Sequence, residues 1–74
     1  MVTWDGEVVS VIRKRWRIGQ SFELEDIYKY EYHFSQLYPE NHHIKQKLRQ
    51  VLQSLREQEI IEFVDDQGTY RRLS

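Results

Sequence analysis

From Asn41 to Val64 the chain reads NHHIKQKLRQVLQSLREQEIIEFV, a helical pattern that passes directly into an alternating one. At about 100° per residue, Ile44, Leu48, Val51, Leu52 and Leu55 fall in one apolar sector, as an amphipathic helix requires. The other side carries His42, His43, Gln46, Arg49, Gln50 and Gln53, with no acid among them. Such side chains can meet base edges in a DNA groove without presenting negative charge to it. The segment is therefore a candidate recognition helix, and the competing reading is a solvated face on an ordinary packed helix.

Length restricts what such a helix can belong to. With 74 residues the chain is expected to form a single domain over 1–74, near the size where one core is only marginally stable. A large catalytic cleft does not fit in it. There is no cysteine, so neither disulfides nor thiolate-bound zinc can staple the fold. Stability has to come from packing two tryptophans, five tyrosines, three phenylalanines and the aliphatic residues. No apolar run is long enough to span a bilayer, and MVTWDGEVV lacks the basic-then-apolar order of a signal peptide. A soluble, cytoplasmic protein is expected.

The formal net charge of −1 argues against nucleic acid if taken alone, because most DNA-binding domains are basic. The distribution of charge partly answers this. Arg13, Lys14, Arg15 and Arg17 cluster near the end of the first helical pattern, and Lys45, Lys47, Arg49 and Arg56 lie along the segment above. Acids gather in Glu23, Glu25, Asp26 and Glu31, and again in Glu57, Glu59, Glu62, Asp65 and Asp66. A domain segregated in this way can attract phosphate with one face and repel it with another.

Thr3 is placed to cap a first helix whose Trp4, Val8, Val11, Ile12 and Trp16 share a face, ending near Ile18-Gly19. Ser21-Phe22-Glu23 reads as a short extended link. A second helix follows from Leu24, with Ile27, Tyr28, Phe34 and Tyr38 on one side, until Pro39 stops it. Glu31, near the centre of that side, is expected to meet amides at the start of the third helix or a nearby cation, since a lone carboxylate there is costly. Asn41 is the expected N-cap of the third helix. IIEFV, the turn DDQG and TYRRL then read as a β-hairpin, with Gly68 supplying the positive φ. The expectation is a small α+β winged helix, a helix-turn-helix variant with three helices and a C-terminal hairpin wing.

The stretch from Phe22 to Val64 carries a resemblance. Phe22, Leu24, Asp26, Ile27, Tyr28, Glu31, Leu37, Pro39 and Asn41, then the block KLRQVLQSLRE with Ile60, Ile61 and Phe63, and finally Gly68, Tyr70, Arg71 and Leu73 resemble the C-terminal winged-helix domain of DpnI-type restriction endonucleases. The resemblance implies a reader of methyladenine in a short palindrome of the GATC kind, normally attached to a nuclease domain. Two positions depart from the pattern. Glu23 stands where a small hydroxyl cap is usual, and Glu59 where a glycine is expected.

These readings select site residues. His42, His43, Gln46, Arg49 and Gln50 are candidate base contacts, since arginine fits guanine O6 and N7 and glutamine fits adenine. Asn41, Lys45, Lys47, Arg71 and Arg72 are candidate phosphate contacts, with Arg13 and Arg17 as further ones. Trp4 is a candidate methyl contact, or else ordinary core. Asn41, His42 and His43 superficially suggest an HNH nuclease, but adjacent histidines on a helix diverge by about 100° and no second ligand set is visible. No metal, cofactor, small-molecule substrate or catalytic constellation is expected, and the partner expected is double-stranded DNA bound by a monomer. A DNA binder indifferent to methylation, or a protein-interaction module using the tyrosine-rich surface of the second helix, would have the same topology.

Overall fold

The computed structural model describes residues 3–65 and 67–74; Asp66, in the expected DDQG turn, lies outside them. Helix α1 spans Trp4–Arg15. Thr3 Oγ1 accepts from the Gly6 amide at 3.0 Å, as a helix start with free amides favours. A Cβ on Gly6 would sit 2.8 Å from that oxygen, so glycine leaves the cap its room. Asp5 and Glu7 occupy the first turn and Arg13, Lys14 and Arg15 the last, matching the helix dipole at both ends.

Strand β1 (Ser21–Glu23) leads into α2 (Leu24–Tyr28), α3 (Glu31–Leu37) and α4 (Ile44–Glu57), followed by β2 (Ile61–Phe63) and β3 (Thr69–Arg72). The strands form one antiparallel sheet in the order β1-β3-β2, with Phe22 opposite Tyr70 and Tyr70 opposite Phe63. Gly68 at φ +90° turns the chain between β2 and β3, and its carbonyl accepts from the Leu24 amide at 2.8 Å. The wing is thereby joined to the start of α2. The winged-helix architecture expected from the sequence is present, with the extended link serving as the third strand.

The helical layer differs from expectation in its divisions. The second helix is broken after Tyr28, where the Tyr30 amide donates to the Ile27 carbonyl at 3.0 Å in a tightened turn. No glycine or proline announces this break. Its two tyrosines are instead held on different neighbours, Tyr28 under the Lys45 ammonium and Tyr30 by its hydroxyl to Arg15. The break also moves Glu31 to the first turn of α3, where a carboxylate suits the helix dipole, and among the described residues it has no ion pair or hydrogen bond. The expected partners at the start of the next helix are not engaged.

Two helix ends shift as well. Helix α1 stops at Arg15, short of Ile18-Gly19, because Trp16 turns to an extended conformation and buries its ring. The N-cap position of α4 is His43, whose side chain makes no cap hydrogen bond, rather than Asn41. Asn41 Oδ1 accepts from the His43 amide at 2.7 Å, a local side-chain turn that brings the chain to the helix start without capping the helical amides. At Glu23 the absence of a hydroxyl cap is offset by Asp26, whose Oδ2 accepts from the Glu23 amide at 2.9 Å.

The buried residues form one cluster, built from Val8 and Ile12 of α1, Ile27, Phe34, and the five apolar positions of α4, closed by Trp16, Phe22, Ile61 and Tyr70. A run of rings crosses the sheet side of it. Trp16 stacks on Phe22 with centroids 4.4 Å apart, Phe22 on Tyr70 at 5.7 Å, and Tyr70 meets Phe63 at 5.1 Å. A guanidinium lies at each end of the run, Arg15 over Trp16 at 5.6 Å and Arg56 over Phe63 at 4.3 Å. Among the described residues no helix is long and apolar enough to cross a membrane.

Candidate nucleic-acid interface

Helix α4 buries Ile44, Leu48, Val51, Leu52 and Leu55, the apolar sector read from the sequence. His42, His43, Gln46, Arg49, Gln50 and Gln53 are all exposed. The helix is fixed against α1 at its far end: Ser54 Oγ and Gln58 Nε2 each donate to Asp5 Oδ2 at 3.2 Å. Asp5 adjoins Trp4, so the same contact sets the position of the tryptophan relative to α4.

Trp4 packs on the core and also reaches the surface. Its ring stacks on Tyr38 at 4.2 Å and on Phe34 at 5.6 Å, while the residue stays half-buried. It also lines an open hollow of about 1000 Å³ together with Tyr38, His42, His43, Gln46 and Gln50. Asn41 and Lys47 border the same hollow, and Lys47 Nζ donates to Gln50 Oε1 at 3.4 Å. An indole surface thus stands beside four of the five side chains expected to meet base edges.

Arg49 is the fifth, and it lies elsewhere. It borders a smaller hollow of about 430 Å³ between α4 and the wing, shared with Phe63, Asp65, Gly68 and Tyr70. Lys45 is on that side too, its ammonium 5.4 Å from the Tyr28 ring centroid. The candidate phosphate contacts therefore divide between the flanks of α4, with Asn41 and Lys47 near Trp4 and Lys45 toward α2 and the wing.

The wing arginines point in opposite directions, as adjacent strand positions must. Arg71 pairs across the sheet with Glu62 at 2.9 Å. Arg72 turns toward α1, donating to the carbonyls of Trp16 at 2.7 Å and Ser74 at 3.0 Å. Arg13 and Arg17 are both exposed.

Two phenols near these surfaces hold their protons more tightly than usual. Burial raises Tyr38, and the Glu7 carboxylate adds to the effect. Burial likewise raises Tyr70, against the opposing pull of Arg49 and Arg56. Tyr38 and the Phe63–Arg56 pair were not singled out from the sequence. In the sequence Tyr38 reads only as part of the apolar side of a helix, and the even spacing of Ile61 and Phe63 is the one signal that Phe63 faces α4. Among the described residues no three of His, Asp or Glu are grouped to hold a metal ion.

A helix whose outer face carries Gln46, Arg49, Gln50 and Gln53, with its one acid, Glu57, at the last residue, is braced by the other helices and flanked by a hairpin, and this defines a winged helix-turn-helix domain of the DNA-binding type. Residues 2–72 match the family model described as the Dam-replacing HTH domain, and the chain belongs to that family, the C-terminal domain of DpnI-type proteins. The family is a DNA-binding domain rather than a catalytic one.

Proposed function

We propose that residues 1–74 act as one monomeric reader that sets α4 in the major groove of duplex DNA and prefers adenine-methylated sites of the GATC kind. The observation that carries this reading is the hollow in which Trp4 meets His42, His43, Gln46 and Gln50. The methyl of methyladenine takes the place of an amine hydrogen in the major groove, so a glutamine making the usual two-point contact to adenine is disfavoured. A reader of the methylated base needs an apolar surface next to its polar groups, and the half-buried indole supplies one. Base-edge contacts fall to His42, His43, Gln46 and Gln50, with Arg49 meeting the bases from the wing side. Phosphate contacts fall to Asn41, Lys45 and Lys47. Arg71 and Arg72 have protein partners, and we assign them the support of the wing.

Binding to fully methylated, hemimethylated and unmethylated GATC duplexes at one fixed salt concentration tests the proposal. Each buried methyl contributes about 0.8 kcal/mol, so two across a palindrome give roughly 1.6 kcal/mol, or about fifteenfold. The expected order is full above hemi above none. Equal affinities would leave a DNA binder indifferent to methylation, and absence of binding to any duplex at low salt would leave a protein-interaction module.

A further inference from the structure

Lys45, Arg49 and Arg56 lie on one side of α4, since residues four and seven apart on a helix return to the same face. Two of these cations rest on aromatic rings, Lys45 over Tyr28 at 5.4 Å and Arg56 over Phe63 at 4.3 Å, and Arg49 shares a hollow with Phe63 and Tyr70. Phe63 is 41% exposed, far more than the other inward-facing sheet residues Phe22 and Tyr70 at 2% and 6%. Its ring carries the Arg56 guanidinium at the surface rather than filling the core.

We infer that Arg56 is a phosphate-binding residue at the junction of α4 and the wing, and that Phe63 is its positioning residue. The inference rests on the reading of α4 as the groove helix. A guanidinium lying on a ring keeps its N–H edge free for the two parallel bonds that a phosphate accepts, and it has already lost much of its rotamer freedom. Arg56 also borders a separate small hollow with Glu59 and Glu62; Glu62 is paired with Arg71 at 2.9 Å, and Glu59 is exposed to solvent and salt, which screen its charge. From Lys45 to Arg56 the row runs about 16 Å along the helix, so its members meet separate phosphates of one strand. This places the backbone contact at the base of the wing and away from its tip, where the Asp65 carboxylate stands.

The test compares the intact chain with Arg56→Gln, Phe63→Leu, Phe63→Tyr and the groove variant Gln46→Ala, each titrated with the fully methylated GATC duplex over a salt series. Arg56→Gln is expected to weaken binding about tenfold and to lower the slope of log affinity against log salt by about 0.9. Phe63→Leu removes no charge, yet is expected to weaken binding roughly two- to fivefold, and Phe63→Tyr to restore it. Melting curves for the Phe63 variants check that the fold is retained. Loss of affinity in Gln46→Ala with none in Arg56→Gln would overturn the inference alone. Failure of the unaltered chain to bind duplex would overturn it together with the reading beneath it. A Phe63→Leu variant that binds as tightly as the parent would remove Phe63 from its role even if Arg56 kept its own.

Discussion

Arg72 Nη1 donates to the main-chain oxygen of Trp16 at 2.7 Å, so the last strand of the wing closes the carboxyl end of the first helix. The Arg13 carbonyl lies 3.5 Å from the same nitrogen, and the positive charge stands where the helix dipole is negative. This bond ties together two segments far apart in sequence. It is expected to contribute to stability rather than to sequence preference.

Arg72→Met should therefore destabilise the domain by about 1–2 kcal/mol, less than the upper range for charged hydrogen bonds because Arg72 is only half-buried and water can replace part of what is lost. For a domain of this size that corresponds to roughly 4–8 °C per kcal/mol in Tm. Arg71→Met breaks only a half-exposed ion pair and should cost less than about 1 kcal/mol. Thermal melts of the two variants check the order. Equal losses would mean that the carbonyl contacts add nothing beyond a surface ion pair.

Glu59 follows α4 with φ +62°, a left-handed conformation that side chains with a Cβ adopt at a cost. The resemblance leads to the expectation of glycine there, and the geometry gives a reason for it. Glu59→Gly is expected to raise stability by about 1 kcal/mol, net of the greater freedom glycine has in the unfolded chain. A denaturant titration reads this as a higher midpoint with an unchanged slope. A lower midpoint would show that the Glu59 side chain does more for the fold than its strain takes away.

Most of the architecture was legible because apolar spacing states directly which face is buried. The stripe of α4, the caps and turns at Thr3 and Gly68, and the strand at Phe22 all followed from local pattern. The break between α2 and α3 did not, because the Tyr28 and Tyr30 contacts that accompany it join residues distant in sequence. The start of α4 was misplaced by two residues since Asn41 can cap a helix or make a local turn with nearly the same sequence around it. In the candidate site, periodicity put Arg49 in the same stripe as Gln46 and Gln50, but a stripe is wider than a hollow. The wing, whose position no helical period encodes, separates Arg49 from the others.

Among the described residues the buried Tyr38 hydroxyl has no hydrogen-bond partner, and its pKa lies above the ordinary 10.0 through burial first and the Glu7 charge second. A raised folded pKa means that the folded state keeps the proton longer than the unfolded chain does. Stability is thus fully present below about pH 10 and falls as pH rises through the folded value. Tyr38→Phe removes the unpartnered group, so it should be neutral or stabilising by about 1 kcal/mol at pH 7. It should also lose less stability than the parent between pH 9 and pH 11, while Tyr70, which is shifted in the same direction, continues to contribute. Parallel pH profiles of the two proteins would rule out a buried Tyr38 phenol as part of the alkaline transition.

Trp4 has to be tested without removing its support of the fold, since its ring is stacked at 4.2 Å on Tyr38. Truncation to alanine would cost about 3 kcal/mol and confuse reading with folding. Trp4→Phe keeps a ring in the stack and shortens the surface offered to the hollow. Affinity for unmethylated GATC duplex should then stay within about twofold of the parent, because polar groups of α4 and the phosphate contacts supply it. Affinity for the fully methylated duplex should fall. If half the methyl contribution is lost, the ratio between the two shrinks from about fifteenfold to about fourfold. Gln46→Ala is the opposing control, lowering affinity for both duplexes. A Trp4→Phe protein whose methylated-to-unmethylated ratio matches that of the parent would place the methyl contact away from Trp4, leaving the tryptophan as a core residue that borders the groove.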